Sequence, residues 1–248
     1  LGVNAGNSIV SGGNYNVVVG DEAGTALTTG DNNVAVGYGA LDLEDTGTDS
    51  VAVGYNALTA QNNDAANHNV AVGSSAGAAV TTGVNNTFIG GLAGDAITTG
   101  IRHTALGQGS LSTETTGRAA VAVGFNALAT LNVGSNLESY NVAVGSEAGA
   151  AMTVGLRNTI IGGLAGDALT DADDNIAIGQ GALSTDTLGS KSVAVGRAAL
   201  ATQNFTTAAD TYNTAVGFQA GTAVTTAVQN TLIGAQVGDA LTEGARNT

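Results

Sequence analysis

The stretch "NVAVGYGALDLEDTGTDSVAVG", Asn33–Gly54, contains its own echo: "VAVG" at 34–37 returns at 51–54. Three alternating apolar residues closed by a glycine make a short strand and a bend. A repeat of roughly 17 residues is too short for a helical hairpin and right for one turn of a β-solenoid. Working outward, such a segment ends in glycine at positions 2, 20, 37, 54, 73, 90, 107, 124, 145, 162, 179, 196, 217 and 234. The expected fold is all-β, a parallel β-solenoid of about fourteen 17-residue rungs.

The columns of this repeat carry most of its information. An aliphatic residue precedes every strand glycine, from Leu1 through Val72, Ile89 and Val144 to Ile233. Two residues earlier another mostly β-branched position recurs, so the two share one face of the strand. Between them Ala stands in nine of thirteen repeats, which calls for a second surface packed close against that face. The strand-opening position is Asn in nine of thirteen, including Asn69, Asn86 and Asn141, where stacked amides are expected to bond to one another along a ladder. Strand glycines such as Gly73, Gly90 and Gly145, and turn glycines ten residues later such as Gly30, Gly47, Gly83 and Gly100, are expected to serve bends with positive φ.

A longer period lies on top. Four residues past the strand glycine the repeats read Gly, Gly, Leu, Leu in rotation, beginning Gly6, Gly24, Leu41, Leu58 and then Gly77, Gly94, Leu111, Leu128. The exceptions to Ala inside the strand, Val18, Phe88, Ile160 and Leu232, all fall in the second repeat of four. One repetitive segment spanning 1–248 is therefore expected, with four-rung superrepeats at roughly 1–68, 69–140, 141–212 and 213–248. Extra residues in each fourth repeat, around 62–67, 133–140 and 205–212, are expected to form loops on one side. Both ends interrupt a repeat, so an excerpt of a longer fibre chain is expected.

Composition narrows the function. Lys plus Arg number 6 against 20 Asp plus Glu, a net charge of −14, so nucleic acid and anionic bilayers are unfavoured partners. Cysteine is absent, and no apolar run is long enough to span a membrane. With 38 glycines and 4% aromatics, a single coil encloses little apolar volume. The Ala and Leu positions taken to lie on its outer face point to self-association of copies.

Segments such as "NVAVGYGALDLEDTGTDS", "SVAVGYNALTAQ" and "NVAVGSEAGAAMTVGLRN" resemble the 17-residue repeats of phage tail fibres and the head and shaft repeats of YadA-like trimeric adhesins. The resemblance runs through the whole chain on the motif N-[VT]-A-[VI]-G-x-x-A. It implies a left-handed β-roll in a homotrimer or filament, extracellular, on a virion or cell surface, holding a binding tip away from its base. The repeats are longer than those of YadA-like heads, so the tail-fibre repeats are the nearer match.

Candidate chemistry stands beside bland readings. "GGLAGD" at 90–95 invites a phosphate cradle, but a copy at 162–167 and a degraded one, "GAQVGD", at 234–239 favour a structural bend. Asp171, Asp173 and Asp174 offer oxygen ligands to calcium, against the commoner solvated turn. His68 and His103 lack a recurring acidic or hydroxyl partner and read as residues of the rung edge. Tyr140 and Tyr212, at the ends of the longer loops, are the candidates for glycan contact. Paired threonines such as Thr81–Thr82 and Thr98–Thr99 read as turn chemistry before an ice-binding ladder. The reading is a non-enzymatic spacer and attachment element without cofactor, with a carbohydrate-binding module as the alternative, and polysaccharide cleavage or ice binding further behind.

Overall fold

The computed structural model describes residues 2–134 and 136–248. Leu1, first of the aliphatic ladder, and Ser135, inside the second insertion, lie outside the described residues. The chain folds as two compact blocks, residues 1–120 with 134–137 and residues 121–133 with 138–248. Each is a parallel β-solenoid, and no helix occurs among the described residues.

In the first block six strands follow one another in chain order: β1 (Val17–Val19), β2 (Val34–Val36), β3 (Val51–Val53), β4 (Val70–Val72), β5 (Thr87–Ile89) and β6 (Thr104–Leu106). The second block stacks β7 (Val121–Val123), β8 (Val142–Val144), β9 (Thr159–Ile161), β10 (Ile176–Ile178), β12 (Val193–Val195), β14 (Thr214–Val216) and β15 (Thr231–Ile233). It also holds a short pair, β11 (Gly189–Ser190) and β13 (Ala209–Asp210). Pairing is parallel and residue for residue, Val34 to Val51, Ala35 to Ala52 and Val36 to Val53 for example. The repeat ending at Gly2 contributes turns but no strand among its described residues.

The register depends on backbones coming closer than a side chain permits. A methyl group built on Gly73 would stand 2.5 Å from the carbonyl oxygen of Gly90, and one on Gly145 equally close to that of Gly162. These strand glycines also have φ of 142°, which an L side chain rarely adopts. The turn glycines Gly30, Gly47, Gly83 and Gly100 do not have positive φ. That corrects the expectation: at Gly100, for instance, a methyl group would meet Gly117 O at 2.9 Å, and close approach is the reason for glycine there.

The strand's middle residue points inward. Ala35, Ala52, Ala71 and their counterparts are fully buried, while the Val and Ile on either side are half-buried or exposed. The leucines four residues past the strand glycine are not on the outer face as expected: Leu41, Leu58, Leu111, Leu128, Leu183 and Leu200 are fully buried. Each holds φ near 50°, a left-handed conformation costing about 1–2 kcal/mol, which burial of the side chain at about 1.5–3 kcal/mol offsets.

Volume explains the four-repeat rotation. Where the strand carries Phe88 in place of Ala, that ring lies against Gly77 and Gly94, and a methyl group on Gly94 would stand 2.5 Å from Phe88 Cε1. Ile160 lies likewise against Gly149 and Gly166, and Leu232 against Gly221 and Gly238. A large strand residue in the second rung thus demands glycine in the first and second, and Leu fills the space in the third and fourth where the strand has Ala. At Gly149, Gly166 and Gly221 an apolar residue three positions on, Met152, Leu169 or Val224, also reaches this space, and all three are buried.

Chemical denaturation of Gly94→Ala is expected to show a loss of about 2–4 kcal/mol, from overpacking plus left-handed strain. In the Phe88→Ala background the added cost of Gly94→Ala is expected to fall to about 1 kcal/mol, the coupling being read from the double-mutant cycle.

Candidate functional site

The buried polar positions lie where a site would, and their bonds say what they do. Asn69 donates from Nδ2 to Gly83 O at 2.7 Å and accepts at Oδ1 from the N–H of Asn86 at 2.9 Å. Asn86 does the same with Gly100 O and the N–H of His103, and Asn141 with Gly155 O and the N–H of Asn158. The expected amide-to-amide ladder is thus mainly an amide-to-backbone one. Direct amide contacts occur as a minor feature, at Asn158–Asn141, Asn230–Asn213 and Asn247–Asn230.

His103 occupies the Asn column and is buried, not at the rung edge. Its Nδ1 accepts from the N–H of Ala120 at 3.3 Å, so Nε2 carries the proton that it donates to Gly117 O at 2.7 Å. The imidazole therefore reproduces both bonds of an asparagine. His68 is exposed.

Sequence reading missed a second buried polar set, seven residues past the strand glycine in rungs carrying Leu. Glu44 is fully buried, and its carboxylate accepts from Gly47 N at 2.9 Å, Gln61 Nε2 at 2.9 Å and Asn67 Nδ2 at 3.0 Å. Gln61 also donates to Ser50 Oγ and accepts from Asn69 Nδ2, both at 2.8 Å. In the second block Asp186, Gln203, Ser192 and Asn213 repeat this arrangement. Amides and backbone N–H groups thus take up the bonding capacity of a buried carboxylate, each charge-assisted bond contributing about 1.5–3 kcal/mol. In the intervening superrepeat Ala120 and Leu131 stand at the positions of Ser50 and Gln61, both polar partners replaced together. The signal available was the alternation of polar and apolar residues at this column with the Gly/Leu rotation.

The "GGLAGD" turn has no free amides to offer at four of its positions. Gly90 N donates to Val72 O, Leu92 N to Ser74 O, Ala93 N to Gly90 O and Gly94 N to Ser110 O. Thr81 and Thr98 likewise direct their hydroxyls to the carbonyls of Thr98 and Thr115.

Arg157 claims two of the three clustered acids, with Nη2 3.2 Å from Asp173 and Nε 2.7 Å from Asp174. That guanidinium holds the Asp174 carboxyl below the usual range. Asp171 is exposed, and among the described residues no group of three His, Cys, Asp or Glu could hold a metal ion. Tyr140 and Tyr212 are exposed at 59% and 51%. The Tyr212 hydroxyl donates to Asp210 at 3.1 Å, and Lys191 Nζ sits 2.6 Å from the same carboxylate and 5.4 Å from the ring centroid. The structure therefore gathers Tyr212 into an exposed cluster and keeps Asn69, Asn86 and Asn141 in the core. No family model, curated protein or solved structure matches the chain.

Asp95 and Asp167 stand apart. Each has a buried Oδ1 without a hydrogen-bond partner, and burial pushes both carboxyls above their usual 3.8, Glu147 adding to the effect at Asp167. A raised folded-state value favours the fold at low pH, and that contribution is lost as pH rises through it. Asp95→Asn is expected to melt above the parent at pH 7, with the difference closing below the unfolded carboxyl value; thermal melts across pH 3–7 check the sign. For the ladder, His103→Asn is expected to change stability by under about 1 kcal/mol. His103→Leu is expected to cost about 2–4 kcal/mol, because two buried backbone groups lose their partner; urea unfolding of both variants separates the outcomes.

Proposed function

We propose that this chain is a structural, non-enzymatic segment of an extracellular fibre, on a phage-like particle or a bacterial surface, serving as a stiff spacer and attachment element that associates with copies of itself as a homotrimer or filament. The observation that carries the reading is the destination of the polar chemistry. Asn69, Asn86, Asn141, His103 and the Glu44–Gln61 pair all use their polar atoms to tie one rung to the next. Side chains committed in this way hold a backbone register, which is structural rather than catalytic work. Sequence resemblance to tail-fibre repeats points the same way.

A second reading, a carbohydrate-binding module, draws on the exposure of Tyr140 and Tyr212 at equivalent positions five residues before a strand glycine. Weak contacts repeated along a chain gain avidity, so the two readings differ in whether the isolated chain selects a sugar. Glycan-array screening of the purified chain is expected to give no selective binding. Saturable binding of one glycan class, lost in Tyr140→Ala with Tyr212→Ala, would replace the spacer by the carbohydrate module.

A further inference from the structure

We infer that the outward face of the strands is the surface on which a second copy of this chain docks; the inference rests on the self-associating fibre reading and names the face that such a fibre would use. All twelve outward positions of β1–β6 are Val, Ile, Leu or Thr, and so are all fourteen of β7–β10, β12, β14 and β15. None is charged, although the chain carries 26 charged side chains.

These residues are not core. Val17, Val19, Ile89, Ile161 and Ile233 are between 38% and 67% exposed, and the others are half-buried or similarly exposed. One residue past the strand glycine, exposed aromatics flank the face: Tyr38 and Tyr55, stacked with centroids 5.5 Å apart, in the first block, and Phe125 and Phe218 in the second. An uncharged, exposed apolar face flanked by aromatic rings has the composition of an interface core.

Charge and period select a copy of the chain as the occupant. Two chains of −14 repel wherever their acidic surfaces meet, and an uncharged face lets them approach with least penalty. The columns advance one residue per rung, as Val34, Val51 and Val70 do in register. Ridges with that spacing interdigitate with a partner having the same rise, which a second copy supplies at every rung.

The experiment uses the full chain, with light scattering for mass and far-UV circular dichroism for fold. The parent is expected at a multiple of 24.0 kDa. Val123→Glu, Ile161→Glu and Val195→Glu combined place carboxylates on alternate rungs and are expected to reduce the mass to that of one chain with an unchanged β spectrum. The same positions changed to Thr, which the face already carries, are expected to leave the oligomer intact. Because the chain lacks cysteine, Ile161→Cys provides an independent test should the triple variant misfold: a bifunctional maleimide is expected to trap dimers there and not at Asp171→Cys. A parent that is monomeric at all concentrations overturns the fibre reading and this face together. An oligomer that survives the Glu variant, or that cross-links at position 171 and not at 161, leaves the fibre reading standing and overturns the face.

Discussion

Everything in this fold depends on how closely one rung approaches the next at the strand glycine. Parallel pairing keeps neighbouring strands about 4.8 Å apart, and at this bend the carbonyl of the following rung lies where a Cβ would be. The glycine sets the turn, and the turn sets which residue opens the next strand. With register held, identical columns stack, and a polar side chain placed once is placed again at each rung. The Asn column works because of that repetition: each amide finds the same donor and the same acceptor one rung away.

Inside this frame the core is filled by exchange between columns. Large residues sit in the strand at Phe88, Ile160 or Leu232, opposite glycines, or four residues past the strand glycine at Leu41 and Leu183, opposite Ala. Polar residues obey a matching rule, since Glu44 and Asp186 occur in rungs where the Leu already supplies apolar volume. Packing near crystal density makes such substitution rules strict, and the price of the leucine arrangement is a left-handed backbone at each site.

Much of this was legible in the sequence. The 17-residue spacing, the strand glycine and the inward Ala could be read because translation symmetry leaves the same letter in the same column. Which face of the turn points inward could not, because Leu41 is as compatible with an exposed ridge as with a core until the turn is closed. For the turn glycines the sequence offered two physical reasons, positive φ and close approach, and only coordinates separate them. The candidate residues were legible by position more than by role. Asn69, Asn86 and Asn141 stand in their ladder, but their partners are backbone groups, which carry no letter in a sequence. Glu44 and Gln61 were hidden for a related reason: they stand in successive rungs and become neighbours through the register alone.

The asparagine ladder also has a direction. From Asn16 to Asn230, each asparagine that opens a strand takes one N–H and one carbonyl from the rung of higher number, whatever minor contact it makes with the rung before. The two faces of a rung are therefore chemically unlike. One presents a side chain with a donor and an acceptor already positioned, and the other presents main chain. A stack lengthening in the order of synthesis meets each arriving segment with a prepared template, whereas one lengthening in reverse meets it with bare backbone. The ladder gives the coil a leading edge.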